Sequence, residues 1–230
     1  MTLAQLTRRD AATLAAVGLL LTAPAFAGKK VLTVGAQASI YNAGHTTKQP
    51  VGKLPHSVAL PAGASCVAVL SVKGSLPCAS PLGCITVNVN VEQQYLNDPD
   101  GNLDPVSESS NTGTATISGI AAPGAGYLVA LFTAASGPAG PAPPSLDFNQ
   151  GEGTAFKFLS PILDQTFFVG DGRTGDNSGG YQFFSAPAGA SRLYFGISDT
   201  CDNFNGPPGC YYDNGGTYVV AFDIYKHPCQ

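Results

Sequence analysis

The chain has 230 residues, of which 44% are hydrophobic and only 11% are charged, and it contains 28 Gly and 18 Pro. This composition excludes an intrinsically disordered chain and favours a compact fold with many turns. The formal net charge is −4 and no basic residues cluster, so we expect neither nucleic acid nor an anionic membrane surface as a partner.

Residues 1–27 have the pattern of an export signal. An apolar stretch covers Ala11–Leu21, and Ala25–Ala27 matches a cleavage site with small residues. The segment Thr7–Asp10, which contains Arg8 and Arg9, resembles a twin-arginine motif, with ordinary secretion as the alternative route. The apolar stretch is shorter than the roughly 18 to 20 residues that a membrane span needs. We therefore expect no membrane span, and an exported protein, periplasmic or secreted, that begins near Gly28.

Short runs of apolar residues follow, several of them alternating with polar residues, and Gly and Pro separate them. Such alternation is typical of strands with one buried face, and no amphipathic helix is predicted. Many short strands with Gly/Pro turns predict an all-β fold, a β-sandwich or jelly roll. The predicted strands are Val31–Ile40, Val67–Val72, Ile85–Val91, Thr114–Ile120, Tyr127–Phe132, Phe167–Val169, Tyr181–Phe184, Leu193–Ile197 and Tyr218–Phe222.

The Pro-rich segment Ser136–Ser145 is the one candidate linker, because clustered Pro favours an extended chain without internal hydrogen bonds. A division into two domains there would leave a C-terminal piece, residues 146–230, of about 85 residues. That piece lacks the strands to bury both faces of a sandwich. We therefore expect residues 28–230 to form a single elaborated β-sandwich domain.

The six cysteines are an even number in a chain predicted to be exported, which favours disulfides over free thiols. Cys201 and Cys210 flank a short loop and are expected to pair, a constraint on the unfolded chain worth roughly 2 to 3 kcal/mol. Cys78 and Cys84 could pair locally, which would leave Cys66 with Cys229. Six cysteines allow about 15 pairings, so the connectivity beyond the first bridge stays open.

The loop between the last two predicted strands carries Asp199, Asp213 and Asn214, with no Lys, Arg or His between Asp199 and Asp213. Such a cluster of hard, anionic oxygens suits Ca²⁺, which takes about six to eight oxygen ligands. Zn²⁺ is disfavoured, because no His lies nearby and the loop cysteines are expected to form a disulfide. The alternative is that Asp-Asn-Gly-Gly is simply turn chemistry, since Asn and Gly tolerate positive φ.

From Leu193 to Ile224 the chain resembles the C-terminal part of the bacterial galactose-specific calcium lectins, the PA-I-like family. The shared pattern is Asp199 after a strand, then Pro208–Tyr211, then Asp213–Gly216 before the last strand. This resemblance implies a β-sandwich of galactose-binding lectin type, with the sugar's hydroxyls completing the coordination of Ca²⁺. The implied metal ligands are the side chains of Asp199, Asp213 and Asn214 and the main-chain oxygen of Cys210.

The same resemblance implies a carbohydrate partner, galactose-like in the family. The implied sugar contacts are Asp199, Thr200, Tyr211, Asp213 and Asp98. Three departures leave the sugar specificity open: Asp213 replaces an amide, residues 201–205 lengthen the loop, and Asp98 and Gly101 replace the His and Gln that touch sugar in the lectins. The run Asp164–Gly172 also resembles uncharacterised exported bacterial proteins, a likeness that implies no function.

A second acidic segment places oxygen-bearing side chains at alternate positions, namely Asp98, Asp100, Asn102 and Asp104. Calcium loops supply ligands with this spacing, so a second calcium site is a hypothesis. The segment is not an EF-hand, because Ser109 stands where the bidentate Glu belongs and no helical pattern flanks it. The alternative is a solvated turn between strands.

An enzyme is not expected, because the three histidines lie in turn or tail segments and no Gly-x-Ser-x-Gly or His-Glu-x-x-His motif occurs. The favoured function is an exported, calcium-dependent carbohydrate-binding protein. The loop aromatics Phe204, Tyr211 and Tyr212 either stack on sugar or pack beneath the loop. The alternative is a secreted structural or adhesion scaffold in which Ca²⁺ only stabilises a loop. A glycoside hydrolase that uses paired Asp residues such as Asp98 and Asp199 is the third hypothesis. The sequence leaves the oligomeric state unknown.

Overall fold

The computed structural model describes residues 28–47, 51–77, 96–101, 108–175, 178–201 and 205–230. Within these ranges the chain forms strands, three single 3₁₀ turns (Ile40–Asn42, Gly153–Ala155 and Tyr211–Asp213) and no helix long and apolar enough to cross a membrane. The strands are β1 (Lys30–Gly35), β2 (His56–Ala59), β3 (Cys66–Pro77), β4 (Leu96–Asn97), β5 (Glu108–Gly113), β6 (Ser118–Pro123), β7 (Leu128–Thr133), β8 (Leu146–Asp147), β9 (Phe158–Leu159), β10 (Phe167–Phe168), β11 (Arg173–Gly175), β12 (Ser178–Tyr181), β13 (Phe183–Ser185), β14 (Arg192–Ile197), β15 (Asn205–Gly206) and β16 (Thr217–Tyr225). The expectation of an all-β fold is confirmed.

Two sheets form the body of the protein. The larger has the order β1-β16-β3-β13-β9, with β4 on the end of β3, and the other has the order β10-β7-β14-β2. Aromatic rings connect them: the Phe195 and Phe222 centroids lie 5.2 Å apart, and those of Phe167 and Phe184 lie 5.0 Å apart. The sheets therefore pack face to face as a β-sandwich, while the finer jelly-roll topology stays a prediction. Two smaller sheets, β15-β5-β6-β8 and β11-β12, complete the described strands.

Central strand β7 is buried at all six positions, because it lies between β10 and β14 and both of its faces are covered. Its continuous apolar sequence is what a strand buried on both faces requires. The chain at Ala38–Ile40 runs beside β14 through a parallel bridge between Ser39 and Ile197. A Cβ added at Gly196 would lie only 2.8 Å from the carbonyl oxygen of Ala38. Gly196 thus allows the close approach that brings residues 37–43 beside the loop that follows β14.

Three predicted strands differ from the structure. The predicted strand Val31–Ile40 ends at Gly35, because residues 36–37 form a turn and Ile40 begins a 3₁₀ turn. Residues 114–117 form the turn of the β5–β6 hairpin, so the predicted strand Thr114–Ile120 is wrong over its first half. Thr114 Oγ1 accepts a hydrogen bond of 3.1 Å from the Ile117 amide, and this turn contact overrides the β-propensity of the sequence. The predicted strand Tyr181–Phe184 is interrupted at Gln182, whose buried amide donates to the Thr154 and Phe156 carbonyls instead. Predicted strand Ile85–Val91 and signal residues 1–27 lie outside the described residues.

The Pro-rich segment Ser136–Ser145 is hydrogen-bonded to the strands around it. The Ala139 amide donates to Asp164 Oδ2 at 3.2 Å, and the Ala142 amide donates to the Ala115 carbonyl at 2.9 Å. The side chain of Gln165 donates to the Pro144 carbonyl at 2.8 Å. Residues 139–144 are therefore part of the folded body rather than a free linker.

Two disulfides join the described cysteines. Cys66–Cys229 ties the start of β3 to the end of the chain, with a Cα–Cα distance of 5.2 Å. Cys201–Cys210 closes the loop after β14, with a Cα–Cα distance of 4.9 Å. The expected Cys201–Cys210 bridge is confirmed, and Cys66 pairs with Cys229, a pairing that the sequence had left open. The Cys78–Cys84 pairing lies outside the described residues.

Candidate functional site

The loop after β14 and the turn before β16 bring Asp199 and Asn214 together. Asp199 follows β14 by two residues, and Asn214 follows the 3₁₀ turn Tyr211–Asp213 that leads into β16. The Asn214 side-chain nitrogen donates to Asp199 Oδ2 at 2.7 Å. Two of the predicted metal-binding side chains are therefore in direct contact, while the side chain of Asp213 lies outside the described part of the structure.

The backbone of Asp199 is held on several sides. Its amide donates to the hydroxyl of Tyr211 at 3.2 Å. Its carbonyl accepts from the Gly209 amide at 3.0 Å and from the side chain of Asn111 at 2.8 Å. Its Oδ1 accepts from the Thr200 amide at 2.8 Å. These bonds, with four separate residues, hold the main chain of Asp199 and one oxygen of its carboxylate in place, as a preorganised binding site requires.

Tyr211 supports this loop from below. Its side chain is only 2% exposed, and its hydroxyl donates to the Ile197 carbonyl at 3.0 Å while accepting the Asp199 amide. Burial, and then the charge of Asp199, raise the pKa of Tyr211, so its hydroxyl stays neutral and can donate. The buried ring leaves almost no surface for stacking on a sugar. Tyr212, in contrast, is 80% exposed.

Two further buried tyrosines surround the base of the loop. The Tyr41 hydroxyl lies 3.0 Å from Ser198 Oγ, and Ser109 Oγ donates to the Tyr127 hydroxyl at 3.2 Å. Burial raises the pKa of Tyr127 to about 12, and the charge of Asp199 adds to this effect. Burial likewise raises the pKa of Tyr41 well above its usual value. Asp199 therefore lies beside a layer of neutral tyrosine hydroxyl groups that no pattern in the sequence predicts.

The donor chemistry of Asp199 and Asn214 fits Ca²⁺. Neighbouring oxygen ligands of Ca²⁺ lie about 2.7–3.4 Å apart, given Ca–O distances of about 2.4 Å, and Asp199 Oδ2 and the Asn214 amide are 2.7 Å apart. Rotating the side-chain amide of Asn214 by about 180° would place its oxygen, instead of its nitrogen, beside Asp199 Oδ2. Thr200, which follows Asp199 in the chain, is 6% exposed, and its hydroxyl oxygen has no hydrogen-bond partner within the described residues.

Acidic side chains do not supply a complete metal site by themselves in the described part of the chain. Among the described residues, no three His, Cys, Asp or Glu side chains are grouped so that they could hold a metal ion. A calcium site at Asp199 therefore depends on carboxamide and main-chain oxygens as well as on carboxylates. The additional carboxylate predicted from the sequence is that of Asp213.

The turn Asp98–Gly101 is built differently. Asp98 Oδ1 accepts from the Asp100 amide at 3.0 Å, and Asp100 Oδ1 accepts from the Asp171 amide at 2.9 Å. Asp98 and Asp100 line a small cleft of about 180 Å³ beside Arg173. Asn102 and Asp104, the other members of the predicted second calcium site, lie outside the described residues. None of the residues that line this cleft lines the larger one beside the 201–212 loop.

That larger cleft, which we call the loop cleft, has a volume of about 440 Å³. Its lining is formed by the segment Val51–Lys53, by residues 201 and 208–212, and by Gln37. Gln37 Nε2 donates to the Asn214 carbonyl at 3.2 Å and to the Tyr212 carbonyl at 3.4 Å. Gln37 therefore connects the loop cleft to the Asp199–Asn214 pair, although neither member of the pair lines the cleft.

Comparison with known proteins gives no relative for this chain. No family model matches it, and neither a curated protein nor a solved structure does. The function is therefore inferred from the residues of the loop and from their geometry.

Proposed function

We propose that the protein is an exported, calcium-dependent carbohydrate-binding protein of lectin type. Ca²⁺ would be held by Asp199, Asp213, Asn214 and the main-chain oxygen of Cys210, and when bound it would offer coordination positions to sugar hydroxyls. The observation that carries the proposal is the 2.7 Å contact between the side chains of Asp199 and Asn214, which are 15 residues apart in the sequence. The resemblance of Leu193–Ile224 to the galactose-specific calcium lectins agrees with this assignment.

Rigidity of the loop supports the metal-binding part of the proposal. The Cys201–Cys210 disulfide closes a ring whose ends are 9 residues apart, and Cys210 has a left-handed φ of 57° at the start of the 3₁₀ turn. A constrained loop loses less conformational entropy when its ligands are ordered around an ion. The carboxylate of Asp213 would add negative charge, which strengthens Ca²⁺ binding.

The loop cleft supports the carbohydrate-binding part of the proposal. Its volume of about 440 Å³ lies within the range of about 300–1,000 Å³ that is usual for small-molecule sites. Tyr212 presents an exposed aromatic ring at its edge, which can pack on the apolar face of a sugar while Gln37 and the main chain supply polar groups. Tyr211 then acts as a support of the loop, since its ring is buried.

The scaffold remains the second candidate because of one specific observation. Both carboxylate oxygens of Asp199 already accept hydrogen bonds within the protein, from the Thr200 amide and from the side chain of Asn214. A loop that is held in this way needs no ligand in order to be ordered. In that case Ca²⁺ would only stabilise the loop, and the protein would act as an exported structural or adhesion module.

A glycan array separates the two candidates. The purified protein is applied with Ca²⁺ and again with EDTA, beside the variant Asp199→Asn and the control Asp147→Asn, which changes an exposed aspartate on β8. The proposal predicts glycan binding that EDTA and Asp199→Asn abolish and Asp147→Asn retains. Arrays that stay blank, with Ca²⁺ binding intact, would establish the scaffold instead. Release of sugar from chromogenic glycosides would point to the third hypothesis, a hydrolase.

A further inference from the structure

Lys53 is the only charged residue among the described residues that line the loop cleft. The side chain is exposed, and no ion pair to it is found within the described part of the chain. The ammonium group of a lysine is a strong donor to an anionic oxygen, because hydrogen bonds between ionised groups are about twice as strong as neutral ones. The cleft therefore favours ligands that carry an anionic group, a preference that a calcium site alone would not create.

The backbone fixes Lys53 on the wall of the cleft. Its amide donates to the Gln37 carbonyl at 2.6 Å, and its carbonyl accepts from the Ser39 amide at 3.0 Å. The preceding Gly52 has a φ of +73°, and a Cβ there would lie 2.9 Å from both the Gln37 carbonyl oxygen and the Tyr211 ring. Only glycine fits at this close approach. The lysine therefore projects from a fixed strand-like segment rather than from a free loop end.

Tyr212 and its neighbours add an apolar surface to the same cleft. Tyr212 is 80% exposed, and its carbonyl is held by the side chain of Gln37. Pro208 and the Cys201–Cys210 bridge add apolar atoms beside it. A pyranose ring that packs on the face of Tyr212 would lie in the same cleft as Lys53, because both residues line it.

We infer that the ligand of the loop cleft is an acidic sugar, a pyranose that carries a carboxylate or a sulfate group. Lys53 binds the anionic group and Tyr212 packs against the ring. The inference rests on the proposed function in taking a sugar as the ligand. It extends that function, because the Asp199–Asn214 pair does not line the cleft and the acidic group is recognised by Lys53. Ca²⁺ at Asp199 would reduce the negative charge of the loop and so favour an anionic ligand.

Matched pairs of sugars test this inference. The methyl glycosides of galacturonic acid and of galactose differ only at C6, which is a carboxylate in the first and a hydroxymethyl group in the second. The 6-sulfate of methyl galactoside distinguishes sulfate from carboxylate recognition. In calorimetric titrations with Ca²⁺ present, at least one acidic sugar should bind about tenfold or more tightly than the neutral one. Lys53→Gln should remove this preference, so that acidic and neutral sugars bind with similar affinities.

Two further variants identify the cleft as the binding surface. Lys73→Gln changes an exposed lysine on β3, outside the cleft, and should leave every affinity unchanged. Tyr212→Ala should weaken acidic and neutral sugars alike, by about three- to tenfold, whereas Tyr212→Phe should retain binding because the ring is kept. All three side chains are exposed, so the melting temperatures should stay close to that of the wild type.

Three outcomes separate this inference from the proposed function. Equal binding of acidic and neutral sugars, no binding of either, or an acidic preference that survives Lys53→Gln would overturn the inference. If a titration with Ca²⁺ alone still gives saturable heat in these cases, the metal part of the proposed function stands. If acidic sugars bind through Lys53 while Ca²⁺ gives no heat, the inference stands and the calcium assignment fails.

Discussion

The turn at Asp199 and the turn at Asp98 each place an acidic residue beside the hydroxyl of a buried tyrosine. Tyr211 contacts the Asp199 amide, and Tyr218 donates to the Asp98 carbonyl. The carboxylates then differ. Asp199 meets the side chain of Asn214, which comes from another turn, whereas Asp98 and Asp100 accept from the backbone amides of residues 100 and 171. Acidic spacing is common to both turns, and at Asp199 the partner is the carboxamide of Asn214, whose oxygen a metal ion could share with the carboxylate.

The two turns also differ in the disulfide and in the size of the cleft beside them. The Asp199 loop carries a disulfide and lies against a cleft of about 440 Å³, whereas the cleft beside Asp98 and Asp100 has about 180 Å³. Turns rich in Asp, Asn and Gly commonly satisfy backbone donors with their own side chains. The contact between Asp98 and the Asp100 amide is of this type, whereas Asp100 accepts from the Asp171 amide of another segment. A binding site requires side chains that meet across segments and a supporting structure that holds them.

The largest expected effect is the loss of unfolding free energy when a disulfide is removed, and only one of the two disulfides constrains the Asp199 loop. The Cys66–Cys229 bridge spans 163 residues and the Cys201–Cys210 bridge spans 9. Loop-closure entropy predicts that the double Ser variant of the first pair loses about 5 kcal/mol of unfolding free energy, and that of the second pair about 2.5 kcal/mol. Urea unfolding measures both. Only the second variant should also weaken Ca²⁺ binding, and equal Ca²⁺ affinities in the two variants would contradict a role for the loop disulfide.

High pH should weaken the layer of tyrosines under Asp199. The folded pKa of Tyr127 is raised to about 12, above the usual value of 10. Below pH 10 the tyrosine is neutral in both states, and between pH 10 and 12 the unfolded chain ionises first, so stability falls as the pH rises. At 1.4 kcal/mol per pH unit the loss from Tyr127 approaches about 2–3 kcal/mol. Chemical unfolding at several pH values measures it, and a Tyr127→Phe variant that keeps the full wild-type slope would refute this explanation.

The two buried tyrosines, Tyr211 and Tyr218, allow a matched test. Tyr211→Phe removes the hydroxyl that bridges Ile197 and Asp199, and Tyr218→Phe removes the hydroxyl that donates to Asp98. Each change removes a buried hydrogen bond, at a net cost of about 0.5–1.5 kcal/mol, and the Asp98 carbonyl keeps its bond from the Gly101 amide. Thermal unfolding should register both losses. Calcium titration should show weaker binding only in Tyr211→Phe, and a similar change in Tyr218→Phe would remove the distinction between the two turns.

The strands near the site were the most predictable part of the fold. Strands β7, β14 and β16 have long apolar or alternating runs, and each was predicted within a few residues of its bounds. The 114–117 turn was not, because the hydroxyl of Thr114 stabilises a turn that the residue types do not favour. Asp199 and Asn214 were found because each lies next to a predicted strand end.

The supporting residues of the site could not be predicted from local sequence. Tyr41 contacts a residue 157 positions away, Gln37 one 177 positions away, and Asn111 one 88 positions away. No periodicity or spacing marks such a partner, since the contact exists only once the sheets pair. A buried polar residue outside a recognised motif carries no signal of its own in a single sequence.

The most direct measurement is a calorimetric titration of the purified protein with Ca²⁺, repeated on Asp199→Asn and Asp98→Asn. The account predicts saturable binding in the wild type, a rise in melting temperature with Ca²⁺, loss of both in Asp199→Asn, and retention of both in Asp98→Asn. Absence of heat in the wild type, or binding that survives Asp199→Asn and disappears in Asp98→Asn, would contradict the assignment of the calcium site to Asp199 and Asn214.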